Sequence, residues 1–274
     1  MPRLSASLNR QYGYPRLAEA VLAELERAGK NIKTLDRQDC VTFEEFHLRG
    51  RNATRELAKL ADLQPGARLL DVGCGVGGPG RTLADEFGCQ VIGMDMAWGY
   101  CRTARMLNAL TRLEARFPIC CAEALSAPFA GASFDVIWMQ HVSMNIEDKA
   151  GLFQELRRLL KPGGRLALYE ILAGLRAHSY FPLPWANTAD ISFLAEPQNL
   201  RQMLRTVGFV ELYWEDVTGP TLEWGRRALN PQQPPPLGLD LVIGPDVGEK
   251  TSNLLRNLEE DRVRLVMAVA ANSG

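Results

Sequence analysis

The chain has 274 residues, 46% hydrophobic, 8% aromatic and 23% charged, which excludes disordered and fibrous classes and allows roughly 75% of the unfolded surface to be buried. Thirty-one Lys and Arg against thirty-two Asp and Glu leave a formal charge of −1. No bulk charge therefore points to nucleic acid or an anionic membrane as partner.

The first ten residues carry Arg3 and Arg10 and lack the apolar core of a secretory signal, so a cytoplasmic protein is expected. An amphipathic helix is predicted over Arg16 to Ala28, then a polar connection and a second helix from Asn52 to Ala61, with no strand pattern in this region. From residue 67 onward, apolar runs alternate with helical patterns, the signature of parallel strands joined by crossover helices. The predicted strands are Ala67 to Val72, Cys89 to Asp95, Ile119 to Ala122, Phe134 to Met139, Arg165 to Ile171, Val210 to Asp216 and Val263 to Ala270. The first five read as near-continuous apolar segments, as strands covered on both faces should.

Helical spacing marks Gly80 to Phe87, Ala97 to Leu110 and Asp148 to Leu160, the last with Leu152, Phe153, Leu156, Leu159 and Leu160 on one stripe. Lys161-Pro162-Gly163-Gly164 then turns the chain into a strand. A short helix at Thr221 to Leu229, a link holding Pro231, Pro234, Pro235 and Pro236, and a helix from Val247 to Glu260 follow. The chain thus divides into a helical cap at 1–65, an α/β core at 66–218, a helical insertion at 219–262 and a last strand and tail at 263–274. No apolar run approaches the ~20 residues that would span a bilayer.

The six cysteines include no C-x-x-C pair, and His47, His141 and His178 are dispersed, so neither a metal site nor a disulfide framework is expected. The chemistry concentrates instead in Leu69-Leu70-Asp71-Val72-Gly73-Cys74-Gly75-Val76-Gly77-Gly78, an apolar strand running through a carboxylate into a glycine-rich turn before a helix. Glycines let the backbone bend sharply and bring amides close to a ligand. Gly73, Gly75 and Gly78 also satisfy G-x-G-x-x-G, which a dinucleotide fold would share. Asp71 is expected to point toward the mouth of the turn, where a pyrophosphate would add like charge and a cationic or zwitterionic ligand fits better. Asp95 ends the next strand, placed either to accept both hydroxyls of a ribose or to cap the following helix.

At these residues the sequence resembles the class I S-adenosylmethionine-dependent methyltransferases. The resemblance extends to Ile92-Gly93-Met94-Asp95-Met96, to Ala122-Glu123-Ala124-Leu125-Ser126-Ala127-Pro128-Phe129, to Ser133-Phe134-Asp135-Val136-Ile137-Trp138 and to Leu160-Lys161-Pro162-Gly163-Gly164-Arg165-Leu166. It covers about 66–218 and is nearest to the small-molecule branch that includes sarcosine and dimethylglycine N-methyltransferases and ubiquinone-type C-methylases. Phe46 to Thr54 and Phe181 to Ala186 also resemble segments of that branch.

The resemblance implies an α/β fold, a doubly wound, mostly parallel seven-stranded Rossmann-like sheet with helical cap pieces, and S-adenosyl-L-methionine as cofactor. It sets Asp71 and the turn Gly73, Cys74, Gly75 and Gly77 against the methionine part, Asp95 against the ribose and Met96 against adenine. Glu123 would accept from the adenine amino group, and the Ala124 amide would serve a ring nitrogen. Gln140 would meet the cofactor's amino-acid end.

His141, at the carboxyl end of the fourth strand, is the candidate general base or acceptor-binding group; the alternative is a histidine bonded only to loop backbone. The partner implied is a small-molecule methyl acceptor, amine nitrogen favoured and oxygen or ring carbon possible, with no nucleic acid and an undetermined oligomeric state. The acceptor is expected among Tyr12, Tyr14, Phe43, Phe46, Tyr180, Phe181, Trp185, Trp214 and Trp224, with Arg176, Arg226 and Arg227 available for a carboxylate. The competing readings are a non-catalytic cofactor-binding or interaction protein of the same fold and, less favoured, an NAD-dependent oxidoreductase.

Overall fold

Seven strands form one sheet: β1 (Arg68–Val72), β2 (Gln90–Asp95), β3 (Ile119–Cys121), β4 (Phe134–Gln140), β5 (Leu160–Ala173), β6 (Phe209–Asp216) and β7 (Val263–Asn272), in the order β3-β2-β1-β4-β5-β7-β6. They belong to a computed structural model that describes residues 11–228 and 239–274. The expected proline link at Pro231 to Pro236, the end of the helix drawn to Leu229, and Arg3 and Arg10 lie outside the described residues.

β1 to β5 run parallel, with Leu70 opposite Ile92 on one side and Ile137 on the other. β7 is antiparallel to both β5 and β6, so the sheet is mostly parallel. The chain leaves β1 toward β2 and β3 and returns to β4 on its other side. That reversal opens a crevice at the carboxyl ends of β1 and β4, where ligands collect in open α/β sheets.

Alternation along each strand builds two core layers. Leu69, Val91, Val136 and Ala167 face one side, and Leu70, Val72, Ile137 and Leu168 the other. Helix α3 (Gly50–Leu60) packs Ala53, Leu57 and Ala58 into the first layer. Helix α6 (Lys149–Leu159) packs Leu152, Phe153, Leu156 and Leu159 into the second, all at 0% exposure, each worth about 1.5–3 kcal/mol of burial.

Helices α1 (Leu17–Arg27), α4 (Gly78–Glu86), α5 (Trp98–Leu110), α8 (Thr218–Ala228) and α10 (Val247–Glu259) follow the periodic runs within a few residues. Three differences stand out. β5 starts at Leu160, directly after α6, rather than at Arg165. Leu160 pairs with Phe134 before a bulge at the glycine turn shifts the register to Val136 opposite Arg165. Helix α7 (Pro197–Val207) was not expected, although Pro197 opens it and Gly208 closes it at φ 105°. Short helices α2 (Arg37–Cys40) and α9 (Leu239–Ile243) also fall in stretches without a clear apolar period. Among the described residues no helix is long and apolar enough to cross a membrane.

Residues 37–51 lie across the first turns of α4 as a strap. The Glu44 carboxylate accepts from Arg81 Nε at 2.9 Å and Arg51 Nη2 at 2.5 Å, with the Glu44 and Arg81 side chains at 0% exposure. Arg81 also donates to Asn108, and Arg37 to Thr82 and Asp85. Glycine at 78 is required because a Cβ there would strike the Glu44 carbonyl. Removing one member of such a pair leaves a buried charge without its counter-ion, so Arg81→Ala is expected to cost about 3–5 kcal/mol. Urea denaturation checks this, with Arg227→Ala at an exposed pair with Glu223 leaving the midpoint unchanged.

Candidate active site

After β1 the chain passes through Gly73, Gly75 and Gly77 at φ 67°, 54° and 89°, conformations that only glycine adopts freely. A Cβ at Gly73 would run into Val142 of the loop after β4, and one at Gly75 would meet the Phe46 ring at 3.1 Å. The turn therefore abuts the β4 loop on one side and the strap on the other. Asp95 fixes it from below: one oxygen accepts from the Gly75 amide at 2.9 Å and the other from the Ala97 amide at 2.8 Å. The same carboxylate lines the cavity, while α5 itself, with Ala97 as its N-cap, has no side-chain cap.

That cavity, about 1200 Å³, opens at the crevice. One end is lined by Gly73, Cys74, Gly75, Asp95, Met96, Glu123 and Ala124, with Gln140 and His141 further along. Asp71 and Gly77 are absent from the wall, which corrects the placement expected for them. Asp71 shares a strand face with Leu69, so its side chain turns toward the first turns of α4, is 2% exposed and faces the Gly80 amide. Burial, then the negative charges of Asp95 and Glu45, push its pKa well above the carboxylate range. Gly77 folds away from the mouth onto Arg81 and Phe117.

The residues present fit S-adenosylmethionine. Asp95 and Glu123 supply acceptors, Met96 an apolar face 40% exposed, and the glycines a cradle that side chains would fill. Gln140 is the more telling: its oxygen accepts from Trp138 Nε1 at 2.8 Å, while its buried amide nitrogen has no hydrogen-bond partner. Such a group calls for a ligand acceptor. Cys74 is buried, and burial pushes its thiol well up, away from nucleophilic chemistry.

His141 sits at φ 54°, its amide donating to the Tyr169 carbonyl at 2.8 Å. Its ring centroid is 4.7 Å from that of Tyr169 and 5.8 Å from that of His47, and its Nε2 is buried with no partner. Burial, aided by the neighbouring His47, holds its pKa well below the ordinary imidazole range of about 6.5. The loop is pinned by Glu170 on β5, which accepts from the Ser143 amide at 3.0 Å and hydroxyl at 2.6 Å and from the Val142 amide at 3.3 Å. Burial outweighs these bonds and pushes Glu170 up to about 7.

His47 carried no role in the sequence reading, yet it lines the cavity with Nε2 3.3 Å from Glu45 Oε2. Burial would raise Glu45, but hydrogen bonds from His47, Thr82 and Thr54 hold it at about 2. Of the aromatic residues expected at the acceptor, Tyr12, Phe46, Trp185 and Trp224 line the cavity, whereas Tyr14, Phe43, Tyr180, Phe181 and Trp214 do not. Arg176, Arg226 and Arg227 also lie off the wall, Arg226 paired with Glu259 and Arg227 with Glu223. The arginines on the wall are Arg49, Arg51 and Arg55, delivered by the strap and α3.

Sheet order, glycine turn and strand-end carboxylates together define the class I S-adenosylmethionine-dependent methyltransferase fold. Residues 70–168 match the family model described as a methyltransferase domain. It is 29% identical over 189 residues to phosphoethanolamine N-methyltransferase 3 of Arabidopsis thaliana, covering 66% of this chain and 36% of that protein. It is 39% identical over 124 residues to 24-methylenesterol C-methyltransferase 2 of Oryza sativa subsp. japonica, covering 44% of this chain and 34% of that protein. The chain thus spans about a third of the length of these curated relatives.

Among solved structures, phosphoethanolamine N-methyltransferase 2 of Haemonchus contortus with S-adenosyl-L-methionine superposes at a TM-score of 0.73 and 20% identity, covering 100% of this chain and 62% of that one. The [4+2]-cyclase SpnF superposes at 0.70 and 22%, covering 98% and 97%.

With only three histidines in the chain, imidazole titration is readable residue by residue by nuclear magnetic resonance. His141 is expected to stay neutral until well below the ordinary range, and His47→Gln to move its titration upward; an ordinary His141 titration in the native protein would contradict the geometry.

For Glu170, the folded pKa lies above the unfolded value. Its protonated form therefore contributes stability that is full below the unfolded pKa and lost as pH rises through about 7. Glu170→Gln is expected to flatten the fall in stability between about pH 4.5 and 7, measured by denaturant midpoints across that window.

Proposed function

We propose that the protein is a cytoplasmic enzyme that transfers a methyl group from S-adenosyl-L-methionine to a small-molecule acceptor by in-line displacement. The observation that carries this reading is the single cavity that joins the glycine turn, Asp95 and Glu123 at one end to the unpartnered Nε2 of His141 further along. The cofactor supplies an electrophilic sulfonium methyl.

In this reading Asp95 accepts from the ribose hydroxyls, Glu123 from the adenine amino group, and the Ala124 amide donates to a ring nitrogen. Met96 lies against the adenine, and the Gln140 amide nitrogen donates to the cofactor's carboxylate. Cys74 contributes backbone and packing within the turn, beside Gly73 and Gly75. Asp71 acts from behind the turn, holding the start of α4 through the Gly80 amide.

His141 takes the proton of the acceptor at Nε2, a role that requires the neutral imidazole which burial and His47 maintain. The helical pieces at 1–65 and 219–262 supply the acceptor side, since Tyr12, Phe46, Trp224, Leu239 and Leu254 all reach the cavity. They exclude water from the reacting centre.

Relatives named as phosphoethanolamine N-, sterol C- and tocopherol O-methyltransferases include all three acceptor atoms. An unpartnered neutral histidine is most useful to an acceptor that must lose a proton as it attacks, which weighs toward oxygen or acidic carbon over the amine that the sequence favoured. The likeness to a cyclase is a reminder that the fold alone does not fix the reaction.

Calorimetry is expected to show binding of S-adenosylmethionine and S-adenosylhomocysteine without a response to NAD. Asp95→Ala should weaken that binding by about 1.5–3 kcal/mol, roughly tenfold to 150-fold. Tight NAD binding with no response to either methionine nucleoside would overturn the assignment. Cofactor binding without transfer of labelled methyl to any member of an acceptor panel would favour a non-catalytic binding protein.

A further inference from the structure

Beyond the cofactor end the cavity wall is mainly apolar, with Met144, Ile171, Ile191, Phe193, Trp224 and Leu254, and it also carries the carboxylates Glu147, Asp148 and Asp190. Its neutral polar groups are largely spent on the protein itself. The Asn145 amide donates to the Trp185 and Ile191 carbonyls and accepts from the Tyr12 hydroxyl, and Trp185 Nε1 donates to Ser192. Of the three arginines on the wall, Arg51 is bound to Glu44 and Arg55 to Glu86.

Arg49 differs. One arm of its guanidinium, Nη2, pairs with Glu56, while Nη1 is buried and has no hydrogen-bond partner. Other guanidinium nitrogens without a partner, on Arg37, Arg51 and Arg81, belong to groups already paired with Glu44. Arg49 also holds a strained backbone at φ 65°, as does His141 at φ 54°. Non-glycine residues in that region persist where the surroundings impose them, often at ligand clamps. Its positive charge bears on the Tyr169 phenol, whose ring stacks beside His141 at 4.7 Å. Arg49 and His141 both line the one cavity.

We propose that Arg49 is an oxyanion receptor at the acceptor end, so that the acceptor is a bulky, mainly apolar molecule carrying one carboxylate or phosphate group. This rests on the cavity being the methyl-transfer site proposed above. The size supports it: a pocket for one drug-sized ligand takes about 300–1,000 Å³, and a cavity of about 1200 Å³ accommodates a second, sizeable molecule beside the cofactor. The chemistry supports it as well, because a guanidinium with one arm braced by a carboxylate and the other free presents a fixed N–H donor to an oxygen anion.

The test uses two fluorescent probes on the S-adenosylhomocysteine complex: 8-anilinonaphthalene-1-sulfonate and N-phenyl-1-naphthylamine, which share a ring system and differ by the sulfonate. The native protein is expected to bind the sulfonate about tenfold or more tightly than the neutral dye, the scale of a hydrogen bond to a charged group. Dodecanoate and dodecyl phosphate should displace it where dodecanol does not, and the tighter of the two identifies the anion. Arg49→Gln should abolish the preference while leaving S-adenosylhomocysteine affinity unchanged. Glu56→Gln, which frees the second arm, should keep or increase it. Equal affinity of the native protein for both dyes, or an undiminished preference in Arg49→Gln, would overturn the proposal. Failure of the native protein to bind S-adenosylhomocysteine would instead overturn the reading of the site on which it rests.

Discussion

The buried pair between Glu44 and Arg81 is the constraint on which the rest of the site depends. Arg81 belongs to the helix that follows the glycine turn, and Glu44 to the strap, so their contact at 2.9 Å welds a cap segment to the cofactor end of the core. Every residue that the strap delivers to the cavity is placed from there: Phe46 against Gly75, His47 beside His141, Arg49 near Tyr169. A buried ion pair is a poor source of net stability, since the desolvation of two charges offsets much of their attraction. Its value here is register. A slip of one residue along the strap would part the Glu44 carboxylate from the Arg81 guanidinium and leave both charges buried without a partner.

Buried charge is concentrated at the turn. Asp71, Asp95 and Glu45 lie close enough that each of the latter two raises the first, a cost imposed by burying like charges together. The backbone amides of Gly75 and Ala97 offset it for Asp95, and His47 with Thr54 and Thr82 for Glu45, but Asp71 keeps an oxygen with no hydrogen-bond partner among the described residues. The positive charge of Arg81 relieves part of that cost. Asp71 therefore sits behind the turn, and its place in the sequence does not put its side chain on the cavity wall.

Much of the fold was legible because parallel strands buried on both faces leave near-continuous apolar runs, as β1 and β4 do around Asp71 and Asp135. The α7 helix is legible too, from Pro197, the Leu200 and Leu204 spacing and Gly208. The site was legible where it is local. Gly73, Gly75, Asp95 and Glu123 sit at strand ends or turns whose geometry is set by adjacent residues.

What escaped was set by long-range packing. His47 and Arg49 carry no local signal of a role, and the long-range bonds of the strap to α4, Glu44 to Arg81 thirty-seven positions away among them, bring them to the cavity. The converse error has the same origin. Tyr180 satisfies every sequence criterion for an acceptor aromatic, yet Arg256 and Arg262 stack on its ring and its hydroxyl donates to Glu260, so it is fully engaged in holding α10.

The two ends of the cavity are not independent. Gly73 stands against Val142 so closely that even a methyl would collide, and Val142 and Ser143 hang from Glu170 by their amides. His141, one residue before, is held at positive φ between that anchorage and the Tyr169 carbonyl. The packing that sets the glycine turn therefore also sets the position of His141, because a close-packed interior leaves no slack between them. Tyr169 stacks beside His141 with ring centroids 4.7 Å apart, so that histidine is fixed from the β5 side as well as from the turn.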